Sequence, residues 1–288
     1  MEELFVNNNG ELLPNKGATL EAGNRGHLYG DGLFETIRLI DGAPINLDIH
    51  ILRLKEGMSA LKMRIPNFFT SAFFSERIKE LAKHSKIEGG GRVRLSVDRS
   101  RGGTYRPETS EVTYFIEIYP VEKNEFVLNQ KGIEVDLYTA IRKESNILAN
   151  FKTKNGLVYV MGAIDARERD LDDVLITNSK GGILESTSSN LFVVSNGVLY
   201  TPCLKEGCLG GTMRMTVINL AIANGIKVYE SAIMPQNLLI ADEVFLTNAV
   251  NGLVWVGGYR TKRYVNAIST KIVNLLNEHY SNKILSQK

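Results

Sequence analysis

Gly181-Gly182-Ile183-Leu184-Glu185-Ser186-Thr187-Ser188-Ser189-Asn190-Leu191-Phe192-Val193-Val194 is the most telling run in this chain of 288 residues. Lys180-Gly181-Gly182 signals a turn, and residues 189–194 read as a strand. Glu185 interrupts an otherwise apolar approach to that strand, so its carboxylate must find a donor or face water. The hydroxyls between Ser186 and Ser189 can also cap backbone groups. Outward from this run, strands are expected over 132–138, 173–178, 198–200, 227–230 and 243–247. Helices are expected over 156–169, 213–224 and 265–279. Earlier in the chain the pattern predicts strands over 4–7, 32–40, 92–99 and 112–119. It also predicts helices from 49 to about 63, capped by Asp48, and from about 70 to 84. The polar, proline-bearing stretch 120–124 separates two such blocks. The expected division is a smaller α/β domain over 1–119, a linker over 120–124 and a larger domain over 125–288. Strands in runs with interspersed helices make the fold class α+β.

Composition narrows the function. Hydrophobic residues make up 43% and charged residues 23%, the balance of a globular chain. Lys and Arg number 34 against 32 Asp and Glu, a formal charge of +2 with no basic stripe, so no nucleic acid is expected as partner. The two cysteines, Cys203 and Cys208, lack the further ligands a zinc site needs, and no metal is expected. No apolar run approaches the roughly 20 residues of a membrane span, and no apolar leader opens the chain. The expected location is cytoplasmic and the expected ligand small.

Four segments carry chemistry. Tyr29-Gly30-Asp31-Gly32-Leu33-Phe34-Glu35-Thr36 opens a strand through two glycines, and His50-Ile51-Leu52-Arg53-Leu54 follows on a helix. Arg53 lies near the apolar stripe of that helix and points partly inward, so it needs an anion, either a carboxylate or a ligand phosphate. Asn150-Phe151-Lys152-Thr153-Lys154-Asn155 precedes the helix over 156–169. Lys152 there is either solvated or desolvated enough to act as a free amine. Gly207-Cys208-Leu209-Gly210-Gly211-Thr212-Met213-Arg214 feeds another helix. A glycine-rich helix entry is either packing or an anion cradle.

In this order, the four segments resemble the fold-type IV (class IV) pyridoxal-phosphate enzymes, which include branched-chain aminotransferases, D-amino-acid aminotransferases and aminodeoxychorismate lyases. The likeness runs from about Leu4 to the last helix near His279. It implies a two-domain α+β fold like that of D-amino-acid aminotransferase, with the active site in a cleft between domains and pyridoxal 5'-phosphate as cofactor. The Lys-x-x-Asn motif falls on Lys152 and Asn155 and gives Lys152 the cofactor's aldehyde. Glu-x-x-x-x-Asn-Leu-Phe falls on Glu185 to Phe192 and makes Glu185 the partner of the pyridine nitrogen. Arg53 and the backbone of Gly211, Thr212 and Met213 go to the phosphate, with Asn248 and Ala249 as further cofactor contacts.

The resemblance also implies a homodimer. The loop Arg99-Ser100-Arg101-Gly102-Gly103-Thr104-Tyr105-Arg106-Pro107 would offer Arg99 or Arg101 to a substrate carboxylate across the dimer interface, with Tyr29 lining the pocket. The expected reaction is transamination between an amino acid, branched-chain among the possibilities, and a 2-oxo acid. Many family aminotransferases carry Tyr after the Asn of Lys-x-x-Asn and Ile-Thr before the late Arg, where this chain has Gly156 and Thr212-Met213. Met213-Arg214 and Asn248-Ala249 keep aminodeoxychorismate lyase, which releases pyruvate, as the alternative. A non-catalytic anion-binding relative is the third reading.

Overall fold

Along β3 (Gly32–Ile40) the fully buried side chains Leu33, Ile37 and Leu39 recur on one face, and Glu35 sits among them. That face needs a cover. It is supplied by α2 (Leu47–Ala60) through Ile51, Leu54 and Met58, and by α3 (Ser71–His84) through Phe74, Ile78 and Leu81. Thr70 caps α3 by accepting from Phe73 N–H at 3.1 Å. These elements belong to the first of two compact units in the computed structural model, which describes residues 4–17 and 20–285. The first unit is Met1–Glu125 with Phe151–Asn155, and the second is Phe126–Asn150 with Gly156–Lys288.

In the first unit the remaining elements are β1 (Phe5–Asn8), β2 (Glu11–Pro14), α1 (Arg25–Tyr29), β4 (Ala43–Pro44), β5 (Gly91–Arg99) and β6 (Val112–Pro120). Among the described residues they form a six-stranded antiparallel sheet in the order β2-β1-β6-β5-β3-β4. The stretch expected as a free linker is tied to this unit. Val121 N–H donates to Gly90 O at 3.0 Å, Arg38 bonds Lys123 O, and Asp41 N–H donates to Asn124 Oδ1 at 2.8 Å.

The second unit holds β7 (Ile133–Tyr138), α4 (Leu157–Glu168), β8 (Asp173–Thr177), β9 (Ile183–Ser186), β10 (Asn190–Ser195) and β11 (Val198–Pro202). They are followed by α5 (Thr212–Ala223), β12 (Val228–Ser231), α6 (Pro235–Ile240), β13 (Glu243–Asn248), β14 (Gly252–Tyr259), β15 (Lys262–Arg263) and α7 (Ala267–Leu285). The sheet order is β12-β11-β10-β13-β14-β7-β8-β9, with β15 on β14, and β9 also pairs β10. That last pairing closes β7, β8, β9, β10, β13 and β14 into a ring and sets Glu185 opposite Asn190. Val135, Leu175, Leu191, Val193, Val244, Leu246 and Val256 fill one core of this unit.

The structure differs from the sequence expectations at two places and adds one strand. Asn46, not Asp48, caps α2; it holds a left-handed backbone (φ 54°), and Asp48 lies inside the first turn, where a carboxylate favours the positive helix end. Residues 252–259, for which no element was expected, form β14, because Leu253 and Val256 find partners on β13. Residues 151–155 group with the first unit rather than with the larger C-terminal block. They extend the start of β3: Thr153 bridges Leu33, and Phe34 N–H donates to Lys152 O at 2.9 Å. No helix among the described residues is long and apolar enough to cross a membrane.

Candidate active site

In the second unit, Glu185 stands on the short strand β9 and is 3% exposed. Its burial is matched by donors. Oε1 accepts from Lys143 Nζ at 2.6 Å and from the Tyr159 hydroxyl at 2.8 Å, and Oε2 accepts from Leu209 N–H at 2.8 Å. Lys143 also donates to Ala149 O at 2.8 Å, which fixes its ammonium. Burial, reinforced by the Glu185 charge, pushes the Tyr159 phenol well above its ordinary value, so it stays a donor. The result is a fixed carboxylate in a mainly apolar strand.

Directly opposite, Asn190 is 4% exposed and donates from Nδ2 to Leu209 O at 2.8 Å. A Cβ at Gly211 would overlap Asn190 Oδ1, so the glycine lets the chain close against this strand. Gly211 is also the N-cap of α5 and contributes no side-chain cap. Thr212 and Met213, both buried, form the first turn, where helix N–H groups favour an anion. Arg214 points the other way, donating to Pro202 O at 2.8 Å and Glu230 Oε2 at 2.6 Å. Thr247, the cross-strand neighbour of Asn190, has a buried hydroxyl with no partner. Asn248 closes the end of β13. Its Nδ2 bonds Ser189 Oγ at 2.9 Å and its Oδ1 accepts from Val250 and Asn251 N–H at 3.0 and 2.8 Å, which carries Ala249 in a turn.

The first unit holds Arg53 and Lys152. Because Glu35 takes an inward position on β3, α2 must answer its charge. Arg53 does so through Nε at 2.8 Å and through Nη2, and His50 Nδ1 lies 2.6 Å from Oε2. Burial alone pushes the Glu35 carboxyl up, but the Arg53 charge and the hydrogen bonds from His50 and Arg53 outweigh it and hold it at about 2. Burial pushes His50 below its ordinary value despite Glu35, with the Arg53 and Lys152 charges acting the same way, so the ring is neutral and donates. Of the two anions open to Arg53 from sequence, the carboxylate is present in the fold. On the other face of β3, the Phe34 ring carries two cations: Arg94 at 3.8 Å and Lys152 Nζ at 4.5 Å from its centroid.

The loop arginines separate. Arg99 is 6% exposed and turned inward: Nε bonds Asp31 Oδ2 at 2.8 Å, and Nη2 and Nη1 reach the carbonyls of Leu61 and Lys62 at 2.6 and 3.4 Å. These bonds tie it to its own chain, at a strand position that faces the interior. Arg101 is exposed, 3.6 Å from Glu21. Tyr29 ends α1, half-buried, with its ring 5.5 Å from Tyr105 and under Arg25. Sequence reading missed Lys143, Tyr159 and Arg94. Only the general requirement that a buried acid find donors pointed toward the first two.

Pyridoxal phosphate requires an amine for its aldehyde, a fixed acid for its ring nitrogen and an anion cradle for its phosphate. Within the second unit, the buried and triply bonded Glu185 and the glycine-capped start of α5 are groups of the second and third kind, and Lys152 in the first unit is an amine of the first kind. Residues 32–258 match the model of the family described as amino-transferase class IV. The chain is 31% identical over 255 residues to the D-alanine aminotransferase of Bacillus licheniformis, covering 86% of this chain and 84% of that one. It is 28% identical over 245 residues to the aminodeoxychorismate lyase of Bacillus subtilis, covering 84% and 82%. Its fold matches the branched-chain aminotransferase of Thermoproteus uzoniensis, solved with norvaline, at a TM-score of 0.86, with 23% identity over 94% of this chain and 93% of that one. The chain is therefore an enzyme of the class IV aminotransferase family, whose cofactor is pyridoxal phosphate.

Proposed function

We propose that this enzyme transfers an amino group between an amino acid and a 2-oxo acid. The observation that carries the reading is Glu185, a buried carboxylate fixed by three donors in a chain whose Lys-x-x-Asn motif supplies Lys152. When bound, pyridoxal phosphate supplies an electron sink for the substrate Cα. Glu185 keeps a proton at the ring nitrogen, which deepens that sink, and its three donors hold the carboxylate in place. Lys152 would hold the cofactor through its aldehyde group, and its amine would move the proton at the substrate Cα. The N–H groups of Thr212 and Met213 would hold the phosphate, with Arg53, whose guanidinium is bonded to Glu35, as the side chain offered to it. Asn248 and Ala249 shape the turn beside that anchor.

Arg101 and Tyr29 are the candidates for substrate contact, Arg101 on an exposed loop that suits a second copy in a homodimer. A cytoplasmic location belongs to the same reading. Aminodeoxychorismate lyase is the second reading, favoured by the likeness to the Bacillus subtilis enzyme and by Met213-Arg214. An amino acid alone should convert the bound aldehyde absorbance to that of the amine form. Pyruvate release from aminodeoxychorismate without an acceptor would favour the lyase instead. A protein that takes up no chromophore reducible onto Lys152 would overturn both readings. Sedimentation of the active species tests the dimer.

A further inference from the structure

Residues 152–154 lie extended against the start of β3. Thr153 faces Leu33, Phe34 N–H donates to Lys152 O at 2.9 Å, and Lys154 N–H donates to Gly32 O at 2.9 Å. Alternation sends the side chains of Lys152 and Lys154 to one face, the face on which Gly32 and Phe34 stand. Two primary amines with the same intrinsic chemistry are thus offered two residues apart. Their surroundings differ. Lys152 Nζ rests 4.5 Å from the centroid of the Phe34 ring. Lys154 crosses Gly32, where no side chain blocks it, and sets Nζ 2.6 Å from Oδ1 and 2.8 Å from Oδ2 of Asp98.

This pair is a built site. Asp98 is the cross-strand partner of Gly32 on β5, and its side chain is 5% exposed against 16% for Lys154. Asn24 donates to Oδ2 of Asp98 at 3.0 Å while its own Oδ1 caps α1. A Cβ at Gly26 or Gly32 would overlap the Asp98 carboxylate, so glycine at both positions makes room for it. An amine adds to an aldehyde only through its lone pair. To react, Lys154 would have to give up its proton and leave Asp98 as a buried, uncompensated charge.

We propose that Asp98 and Lys154 are a positioning pair that withholds the second amine, so that Lys152 alone attaches the cofactor aldehyde. The inference deepens the cofactor role proposed for Lys152 and rests on it. Attachment joins the lysine nitrogen to the aldehyde carbon with loss of one water, and borohydride then fixes the product by adding hydride to that carbon.

The test is peptide mapping after reduction with pyridoxal phosphate. Label falls on Lys152 alone in the native chain, on no lysine of this segment in K152A, and on Lys154 in K152A/D98N. Label on Lys154 in K152A overturns the pair's role, as does its absence from a folded K152A/D98N. Because D98N removes a buried charge and can fail to fold, a measurement on the native chain accompanies it. Formaldehyde with cyanoborohydride, a probe small enough to reach either amine, should methylate Lys154 at least about tenfold more slowly than Lys152. Equal rates refute the pair. A native chain that takes no cofactor label on Lys152 removes the cofactor reading, while the formaldehyde ratio still judges the pair.

Discussion

Replacing Glu35 by Gln tests the arrangement that holds β3 to α2. The carboxylate is 1% exposed and is shared by Arg53 and His50, so E35Q leaves the Arg53 guanidinium, 8% exposed, without its counter-charge. Removing one partner of a buried pair typically costs about 3–5 kcal/mol. The depressed carboxyl gives a second figure for the same contacts. A carboxyl that ionises at about 2 in the folded chain and at 4.5 when unfolded favours folding by about 3 kcal/mol at neutral pH. The two routes agree. Because the folded value is depressed, this contribution is complete above 4.5 and is lost as pH falls toward about 2. His50 acts in the same direction: its folded value lies below 6.5, so stability falls as pH drops below 6.5 and the unfolded chain takes the proton first. The assay is hydrogen exchange on peptides covering residues 32–60, in native and E35Q protein, from neutral to acid pH. E35Q should lose about 3 kcal/mol of protection at neutral pH and show no loss attributable to a carboxyl between 4.5 and 2. E35Q/R53M should recover part of that loss. Protection within about 1 kcal/mol of native, with an unchanged acid limb, would refute the account.

Lys143→Met and Tyr159→Phe should each lower kcat by about tenfold and shift the absorbance of bound cofactor, because each removes one donor from Glu185; unchanged spectra and rates would show that Glu185 does not depend on them. Gly211→Ala should weaken cofactor retention and stability by about 1–3 kcal/mol, since the new methyl meets Asn190 Oδ1; equilibrium dialysis of the cofactor and thermal melting read it. Arg99→Met should lower the melting temperature while leaving KM for the amino donor within about twofold, as its bonds run to Asp31 and to the Leu61 and Lys62 carbonyls. A large rise in KM with unchanged melting would instead support a substrate contact.

The α+β class and most long elements were legible because their patterns are local. The alternation in 32–40 and the apolar stripe of 49–61 declare themselves within a few residues. The burial of Glu185 and the glycine-capped helix were legible through motif order, and the same order singles out Lys152. The inward turn of Arg99 was not legible, because a basic residue at the mouth of a Gly-rich loop looks solvent-facing, whereas strand parity, set by pairing with Val112, turns it inward. Lys143 and Tyr159 were invisible because nothing near them in sequence announces Glu185; the ring closure between β9 and β10 and the course of α4 bring them to it. The allegiance of residues 151–155 depended on a bridge to Leu33, more than a hundred positions away, which no local pattern encodes.

That bridge bears on how the chain matures. During synthesis the first unit emerges well before residues 151–155, and a length of the second unit, Phe126–Asn150, must leave the ribosome in between. Until then the amide of Phe34 and the carbonyl of Gly32 lack the backbone groups that later meet them. The nascent N-terminal half therefore waits with an unfinished strand end, and the amine-bearing segment is among its last pieces to dock. A truncated chain ending at Glu125 should be less stable and more prone to self-association than its buried core alone implies, because the stretch that completes it is encoded beyond the break.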